Sequence, residues 1–378
     1  MYKKLGIYIH IPFCVKKCAY CDFYSICDLS QTDAYVKALI SQIQSFRAEG
    51  KNHIVDSIYI GGGTPSLLSG EQMKKIMKAV RRTFRVSDDA EISIEANPGT
   101  IDTEKLAGYH EAGVNRLSIG LQSADNEELT KLSRIHTREQ FENSFLLARL
   151  EGFQNISLDI MYALPGQTEK TLSDTLDYVL AMNPDHVSFY GLKIEPNTPF
   201  GQDPSIEEML PNEDMQADMY LDAVEKLENA GFLQYEISNF AKPGFECHHN
   251  LKYWKCDDYL GFGPAAHSFF KGQRFSYAKE FVKFIANPTD RGVLVDECAD
   301  ISKEEAASQF VMTGFRLRSG VDIEEYQKRF GDDFEERYFE RMRPFLEKQF
   351  ILKTHNGYRL SRRGLLVSNY ILSEILEF

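Results

Sequence analysis

Basic residues are scarce in this chain. Lysine and arginine total 43 against 56 aspartates and glutamates, a formal charge of −13. A nucleic-acid partner needs a clustered cationic face, so this balance speaks against one. Long apolar runs are also missing, and no stretch approaches the ~18 residues of a membrane helix. The start, Met1-Tyr2-Lys3-Lys4, leads into an apolar-rich run too short for a signal h-region with its cleavage site. Cysteine is sparse and odd in number, seven in 378 residues, which argues against a disulfide framework and for a reducing cytosol. The expectation is a cytoplasmic protein with no membrane-spanning segment; a peripheral membrane contact stays open. No G-x-G-x-x-G follows the first apolar run, so a dinucleotide fold is not expected. Hydrophobic residues make up 43%, enough for a real core in one large or two ordinary domains.

Cysteine is dense at one place only. Cys14-Val15-Lys16-Lys17-Cys18-Ala19-Tyr20-Cys21 holds three in a C-x3-C-x2-C spacing, directly after the apolar run 5–13. A zinc site wants four ligands, usually in two separated pairs, and no matching second pair exists here. A [4Fe–4S] cluster wants one outside ligand per iron, so three thiolates leave one iron open for chemistry. Three buried or disulfide-bonded cysteines are the plainer alternative.

Strand and helix patterns alternate from the start. Strands are expected at 5–11, 56–60, 91–95, 115–121, 156–161 and 186–192. Helices are expected at 32–48, from 69, from 103 to 113, across 127–150 with a break near His136, and at 168–181. Six βα units in a row predict a parallel sheet with helices outside. Polar or glycine residues sit at the strand ends: the cysteines, Gly61-Gly62-Gly63, Glu95, Gln122, Asp159 and Tyr190-Gly191. That is where a β/α barrel keeps its site. The expected fold is therefore α/β, a partial (β/α)6 TIM-like barrel over 1–205. A connecting region follows over 206–300, then a smaller winged-helix-like C-terminal domain over 301–378. In the last part, His355-Asn356-Gly357 reads as a hairpin with a type I′ turn. No basic recognition helix accompanies it, so a lid or docking role is expected rather than DNA binding.

C-x3-C-x2-C with an aromatic before the last cysteine resembles the signature of the radical S-adenosylmethionine (radical SAM) enzymes. The resemblance implies a [4Fe–4S] cluster on Cys14, Cys18 and Cys21, with SAM on the open iron. His10-Ile11-Pro12-Phe13-Cys14, Gly61–Pro65 and Asp159…Leu164-Pro165-Gly166-Gln167-Thr168 resemble one family within that group, essentially end to end. It is the oxygen-independent coproporphyrinogen III oxidase-like family. The resemblance implies SAM contacts from Tyr8, Gly62, Gly63, Thr64, Glu95, Gln122, Arg134, Asp159 and Gly191. An arginine suits the SAM carboxylate through its fork, and carboxylates suit ribose hydroxyls and the ammonium. Ordinary rim salt bridges and a tight turn are the alternatives. No residue stands out as catalytic.

The family has two branches. True oxidases carry a fourth cysteine two residues after the third, where this chain has Phe23, and an N-terminal extension for which this chain leaves no room. Both differences point to the heme-chaperone branch. That branch carries H-N-x-x-Y-W, matched here by His249-Asn250-Leu251-Lys252-Tyr253-Trp254. An imidazole is a common heme ligand, and two aromatics offer flat apolar surface to a macrocycle. His249, Tyr253 and Trp254 are thus the expected heme residues, with a packed loop as the alternative. Zinc on Cys247, His248, His249 and Cys256 fits no common spacing. Cys27 and Cys298 are expected to be inert core thiols, and His267 stays open. The expected function is to bind heme and deliver it to acceptors such as respiratory cytochromes. The alternative is an enzyme that oxidatively decarboxylates coproporphyrinogen III propionates to vinyls. A third class is a radical SAM enzyme with another small substrate.

Overall fold

Strand β1 (Lys3–Ile11) shows why the core forms. Leu5, Ile7, Ile9 and Ile11 alternate with inward Tyr8 and His10, and the four aliphatics are fully buried. They meet Tyr35, Leu39 and Ile43 of the helix Thr32–Ser45, and Met73, Ile76 and Val80 of the helix Gly70–Thr83, in one core. Each such side chain contributes roughly 1.5–3 kcal/mol on burial. The computed structural model describes residues 2–376.

The same pattern repeats along β2 (His53–Gly62), β3 (Arg85–Ala96), β4 (Arg116–Gln122), β5 (Ile156–Tyr162) and β6 (His186–Gly191). Neighbours in this series are all parallel. Outward positions are aliphatic. Inward positions are polar: Tyr8, Tyr59, Glu95, Ser118, Asp159 and Ser188 line the hollow of the partial barrel. The helical stretch after β4 divides into Asn126–Lys131 and Arg138–Leu150. The break falls where Ser133 takes a left-handed φ of 57° and Thr137 starts a capping box.

The sheet continues at both edges. Its order is β12-β11-β10-β9-β1-β2-β3-β4-β5-β6-β8-β7. Here β7 is Leu233–Glu236, β8 Asn239–Ala241, β9 Tyr259–Phe262, β10 His267–Phe270, β11 Gln273–Tyr277 and β12 Val295–Asp300. β9 runs parallel to β1, with Gly6 opposite Tyr259, and so adds a seventh parallel strand. The segment 206–300 therefore builds sheet on both sides of the barrel. Its stretch 248–254, expected as a loop, is a short helix, His248–Trp254.

The C-terminal part has a core of its own, with Phe310, Tyr326, Phe334, Tyr338, Met342 and Tyr358. Three helices, Lys303–Gly314, Ile323–Phe330 and Phe334–Glu347, precede a wing of β14 (Ile351–Lys353) and β15 (Gly357–Leu360). β13 (Val321–Asp322) pairs with β15. The wing turn is not type I′. Residues 354–356 connect the strands, and Asn356 does not take the positive φ that this turn demands.

Candidate functional site

The cysteine loop leaves β1 and is closed at its neck. Cys14 N–H donates to Ile26 O (3.0 Å), and Ile26 N–H to Pro12 O (2.7 Å). Its outer turn is held by Cys21 N–H to Cys18 O (3.2 Å) and by Ala19 N–H to Leu132 O (3.3 Å). All three cysteines are free thiols; Cys14 is buried, Cys18 and Cys21 half-buried. Burial pushes the Cys14 and Cys21 thiols up. Desolvated sulfurs on one loop, in no disulfide, suit a positively charged inorganic partner that keeps them deprotonated. The donor set fits an iron–sulfur cube, in which each thiolate binds a different iron. No three His, Cys, Asp or Glu side chains among the described residues form a group that could hold a single metal ion.

The glycine turn after β2 seats this loop. Gly63 N–H donates to Ile11 O (2.8 Å) and Thr64 N–H to Phe13 O (2.6 Å). A Cβ on Gly63 would lie 2.6 Å from Phe13 O, so the loop backbone fits only over glycine. Gly62 takes φ +112°, and its Cβ would meet the His10 ring. That ring lies between Tyr8 OH (3.1 Å from Nδ1) and Tyr24 O (2.9 Å from Nε2). Nε2 must be the donor, since a carbonyl can only accept, so His10 ties the end of the cysteine loop to β1. His10 was legible only as part of a motif; its inward polar position on an apolar strand was the signal for a role.

Two cysteines accept side-chain hydrogen bonds. Thr64 Oγ1 lies 3.5 Å from Cys14 Sγ, and Arg134 Nη1 lies 3.6 Å from Cys18 Sγ. Arg134 also donates to Asn97 Oδ1 (2.7 Å) and Gly120 O (3.0 Å), while its buried Nε has no partner. Cys18, Thr64, Asn97, Thr100 and Arg134 line one cleft. Asn97 reads in sequence only as part of an Asn-Pro-Gly turn.

Deeper in the hollow, Glu95 accepts from Gly62 N–H (3.1 Å) and faces Gly61. Burial, with Asp159 adding repulsion, pushes the Glu95 carboxyl up to about 7. Asp159 is also raised by burial and accepts from Ser118 Oγ (2.9 Å). Gln122 holds a left-handed φ of 71° and accepts from Tyr190 OH (3.0 Å). Tyr8 is pushed up by burial and packs on Tyr59, with ring centroids 6.5 Å apart. Gly191 is exposed at the end of β6, against Tyr162. The barrel thus gathers Thr64, Glu95, Gln122, Arg134 and Asp159 at the cysteine end of the strands.

His249, Tyr253 and Trp254 lie elsewhere. Ser57 and Glu91 stand four residues before Gly61 and Glu95 on β2 and β3, or ~13 Å down the strands. The helix His248–Trp254 is pinned at that lower level. His248 and His249 N–H groups donate to the Glu91 carboxylate (2.9 and 3.2 Å), and Lys252 Nζ pairs with Asp56 (2.6 Å). The His249 ring is fully buried and stacks on Tyr59 (5.5 Å). Its Nδ1 bonds Ser57 Oγ (3.0 Å) and its Nε2 bonds Tyr253 OH (2.8 Å). Burial drives it down to about 3, so it is neutral. Both ring nitrogens of His249, the expected heme ligand, are thus bonded in this structure, and Tyr253 is turned edge-on to Tyr259. Cys247 bonds Glu91, whereas Cys256 faces Thr313. Cys27 and Cys298 are exposed rather than core thiols, and His267 is exposed on β10. Cys298 lies on the edge strand β12, whose residues 296–300 are all exposed, and Cys27 lies just past the neck of the cysteine loop.

Residues 8–179 match the Radical SAM superfamily, and residues 301–367 match the HemN C-terminal domain. The chain is similar to the heme chaperone HemW of Bacillus subtilis, 36% identical over 98% of each chain. It is 35% identical to that of Haemophilus influenzae, again over 98% of each. The Escherichia coli chaperone is 44% identical over 70% of this chain and 69% of its own. Among solved structures, coproporphyrinogen III oxidase (HemN) from Escherichia coli superposes with a TM-score of 0.86. That match covers 99% of this chain and 90% of the oxidase at 24% identity, a likeness of fold.

Proposed function

Because the chain belongs to the family of the heme chaperone HemW, with a radical SAM domain, we propose that it binds heme and hands it to heme-requiring proteins. A [4Fe–4S] cluster and SAM are its resident cofactors in this reading. Supporting it above all is the likeness to those chaperones over nearly the whole chain. Phe23, 68% exposed where the oxidases carry a fourth cysteine, supports it further.

Cys14, Cys18 and Cys21 would hold the cluster, which would supply an iron with an open position for the amino-acid end of SAM. The unpartnered Nε of Arg134 is a donor kept for the SAM carboxylate. Glu95, near the end of β3, and Asp159, in the middle of β5, supply the carboxylates that a cationic ligand wants. Gly62, Gly63 and Thr64 form the floor under the aminoacyl end, with Tyr8, Gln122 and Gly191 around it.

The heme element is the helix His248–Trp254. Iron held through His249 would take the nitrogen that bonds either Ser57 or Tyr253, so heme loading would be coupled to unseating this helix from the barrel base. Acceptors are heme proteins such as respiratory cytochromes. Among the described residues no helix is long and apolar enough to cross a membrane.

The deciding experiment titrates heme into anaerobically reconstituted protein beside an assay for coproporphyrinogen III decarboxylation. One heme per chain with a sharp Soret band, and no turnover, is the expected result. Turnover well above background without a stoichiometric heme site would overturn the chaperone reading.

A further inference from the structure

Asn97 is the hub between two of the three cysteines. Its Oδ1 accepts from Arg134 Nη2 (2.7 Å), and its Nδ2 donates to Thr64 Oγ1 (2.9 Å). The amide can sit only this way round. A guanidinium has no acceptor, so Oδ1 must face Arg134, and Nδ2 is left for Thr64. Because the Thr64 oxygen accepts from Asn97, its own proton is free to point at Cys14 Sγ, 3.5 Å away. Arg134, held at Nη2, directs Nη1 at Cys18 Sγ, 3.6 Å away. The third sulfur, Cys21, accepts from the backbone N–H of Phe23. Cys14 also faces the Ser25 hydroxyl, while the donors from Thr64 and Arg134 are both aimed by one side chain.

We propose that Asn97 is a positioning residue for the cluster. Through Thr64 and Arg134 it aims one hydroxyl and one guanidinium at the sulfurs of Cys14 and Cys18, and it thereby raises the cluster's reduction potential. This rests on the proposed ligation by Cys14, Cys18 and Cys21. Reduction adds one electron to the cluster and makes its sulfurs more negative. Donors aimed at those sulfurs stabilise the reduced form. The backbone of Asn97 has separate duties: its N–H bonds Ser66 Oγ (3.1 Å) and its carbonyl accepts from Thr100. Side-chain substitutions leave those bonds in place.

The test is an EPR-monitored redox titration of anaerobically reconstituted full-length protein, with iron counted in each sample. Asn97→Ala and Thr64→Val should keep the wild-type iron content and titrate at a more negative potential. Asn97→Asp should go lower still. Its carboxylate would accept the Thr64 proton and turn it away from Cys14, and it adds a negative charge. Thr64→Ser, which keeps the hydroxyl, should restore the wild-type value. Combining Asn97→Ala with Thr64→Val should shift the potential by less than the sum of the two. If Asn97→Ala loses iron, Thr64→Val against Thr64→Ser decides alone. Wild-type potentials in iron-replete Asn97→Ala and Thr64→Val would overturn the proposal while leaving the ligation reading intact. A wild-type protein that binds no iron would sink both.

Discussion

The α-carbon of Gly63 packs directly beneath the carbonyl oxygen of Phe13, the residue before the first cysteine. Any Cβ there would stand 2.6 Å from that oxygen and 3.0 Å from Ile11 O. Both contacts are to backbone atoms that also take part in seating the cysteine loop. A side chain at this position cannot be absorbed by turning a neighbouring rotamer.

Gly63→Ala should therefore lift the loop from β2. Overpacking against backbone costs roughly 1–3 kcal/mol, which is several degrees of melting temperature. Iron retention should fall with it, because the Cys14 neck bonds are strained. Gly99→Ala is the control: its Cβ would meet nothing within 4 Å, so only its left-handed φ of +78° is strained and the cysteine loop is untouched. Thermal melts and iron counts on both variants check this. Equal iron content in the two would mean the loop adapts.

The cysteines give a sharper contrast. Cys14→Ala, Cys18→Ala and Cys21→Ala should each abolish stable iron incorporation on anaerobic reconstitution. Cys27→Ala and Cys298→Ala should not, since both thiols are exposed and Cys27 lies outside the neck closed by Cys14 and Ile26. Loss of iron in Cys27→Ala would require a different ligand set.

The barrel was legible because its signal is local. Alternation along β1 and 3.6-residue spacing in the helix Gly70–Thr83 each lie within one window of sequence. β9 was not, because nothing in Tyr259-Leu260-Gly261-Phe262 says that it pairs with a strand some 250 residues earlier. The cluster loop was legible for the same local reason. Asn97 was hidden because an Asn-Pro-Gly triplet already has a sufficient explanation as a turn. His249 shows the opposite limit. Its residue type suggests a ligand, yet Ser57, which occupies its Nδ1, is 192 residues away. Side-chain partners at that separation leave no trace in a single sequence.

Glu95 sets a pH-dependent expectation. Its carboxyl lies near 7 in the folded protein against an ordinary value of 4.5. Between those values the folded state binds the proton more tightly, so this group favours folding at the acid end and loses that effect as pH rises through the window. The sulfonium of SAM favours the ionised form and pulls the value back down. SAM binding at pH 7 should therefore release up to about half a proton from Glu95, from its value of about 7. Calorimetry in buffers of different ionisation enthalpy reads this directly. Glu95→Gln should lower the release and weaken SAM binding by about tenfold to a hundredfold, from roughly 1.5–3 kcal/mol per lost charged hydrogen bond. Arg134→Ala should weaken SAM similarly yet retain the proton release. No release in the wild type would place Glu95 away from the ligand.

The His249 arrangement makes the heme hypothesis testable at the level of single hydrogen bonds. In the seated helix its ring gives Nδ1 to Ser57 and Nε2 to Tyr253, and burial holds it neutral at about 3. A histidine held below its ordinary 6.5 favours the folded state at neutral pH, and that contribution fades as pH falls from 6.5 toward 3. Acid should thus unseat this helix, and His249→Gln should flatten the acid limb of the stability curve. Iron must take one of the same nitrogens, so every bond that seats the ring opposes heme. Ser57→Ala or Tyr253→Phe removes one such bond, worth about 1 kcal/mol net, and should tighten heme binding about fivefold by favouring the released helix. His249→Ala should flatten and shift the Soret band in both backgrounds, since no imidazole remains to meet the iron. The two effects have opposite signs for neighbours in one network, which a simple loss of folding cannot mimic. Should Ser57→Ala and Tyr253→Phe bind heme as the wild type does, and His249→Ala keep the same Soret band, His249 is a structural pin. The iron ligand would then lie elsewhere in the chain.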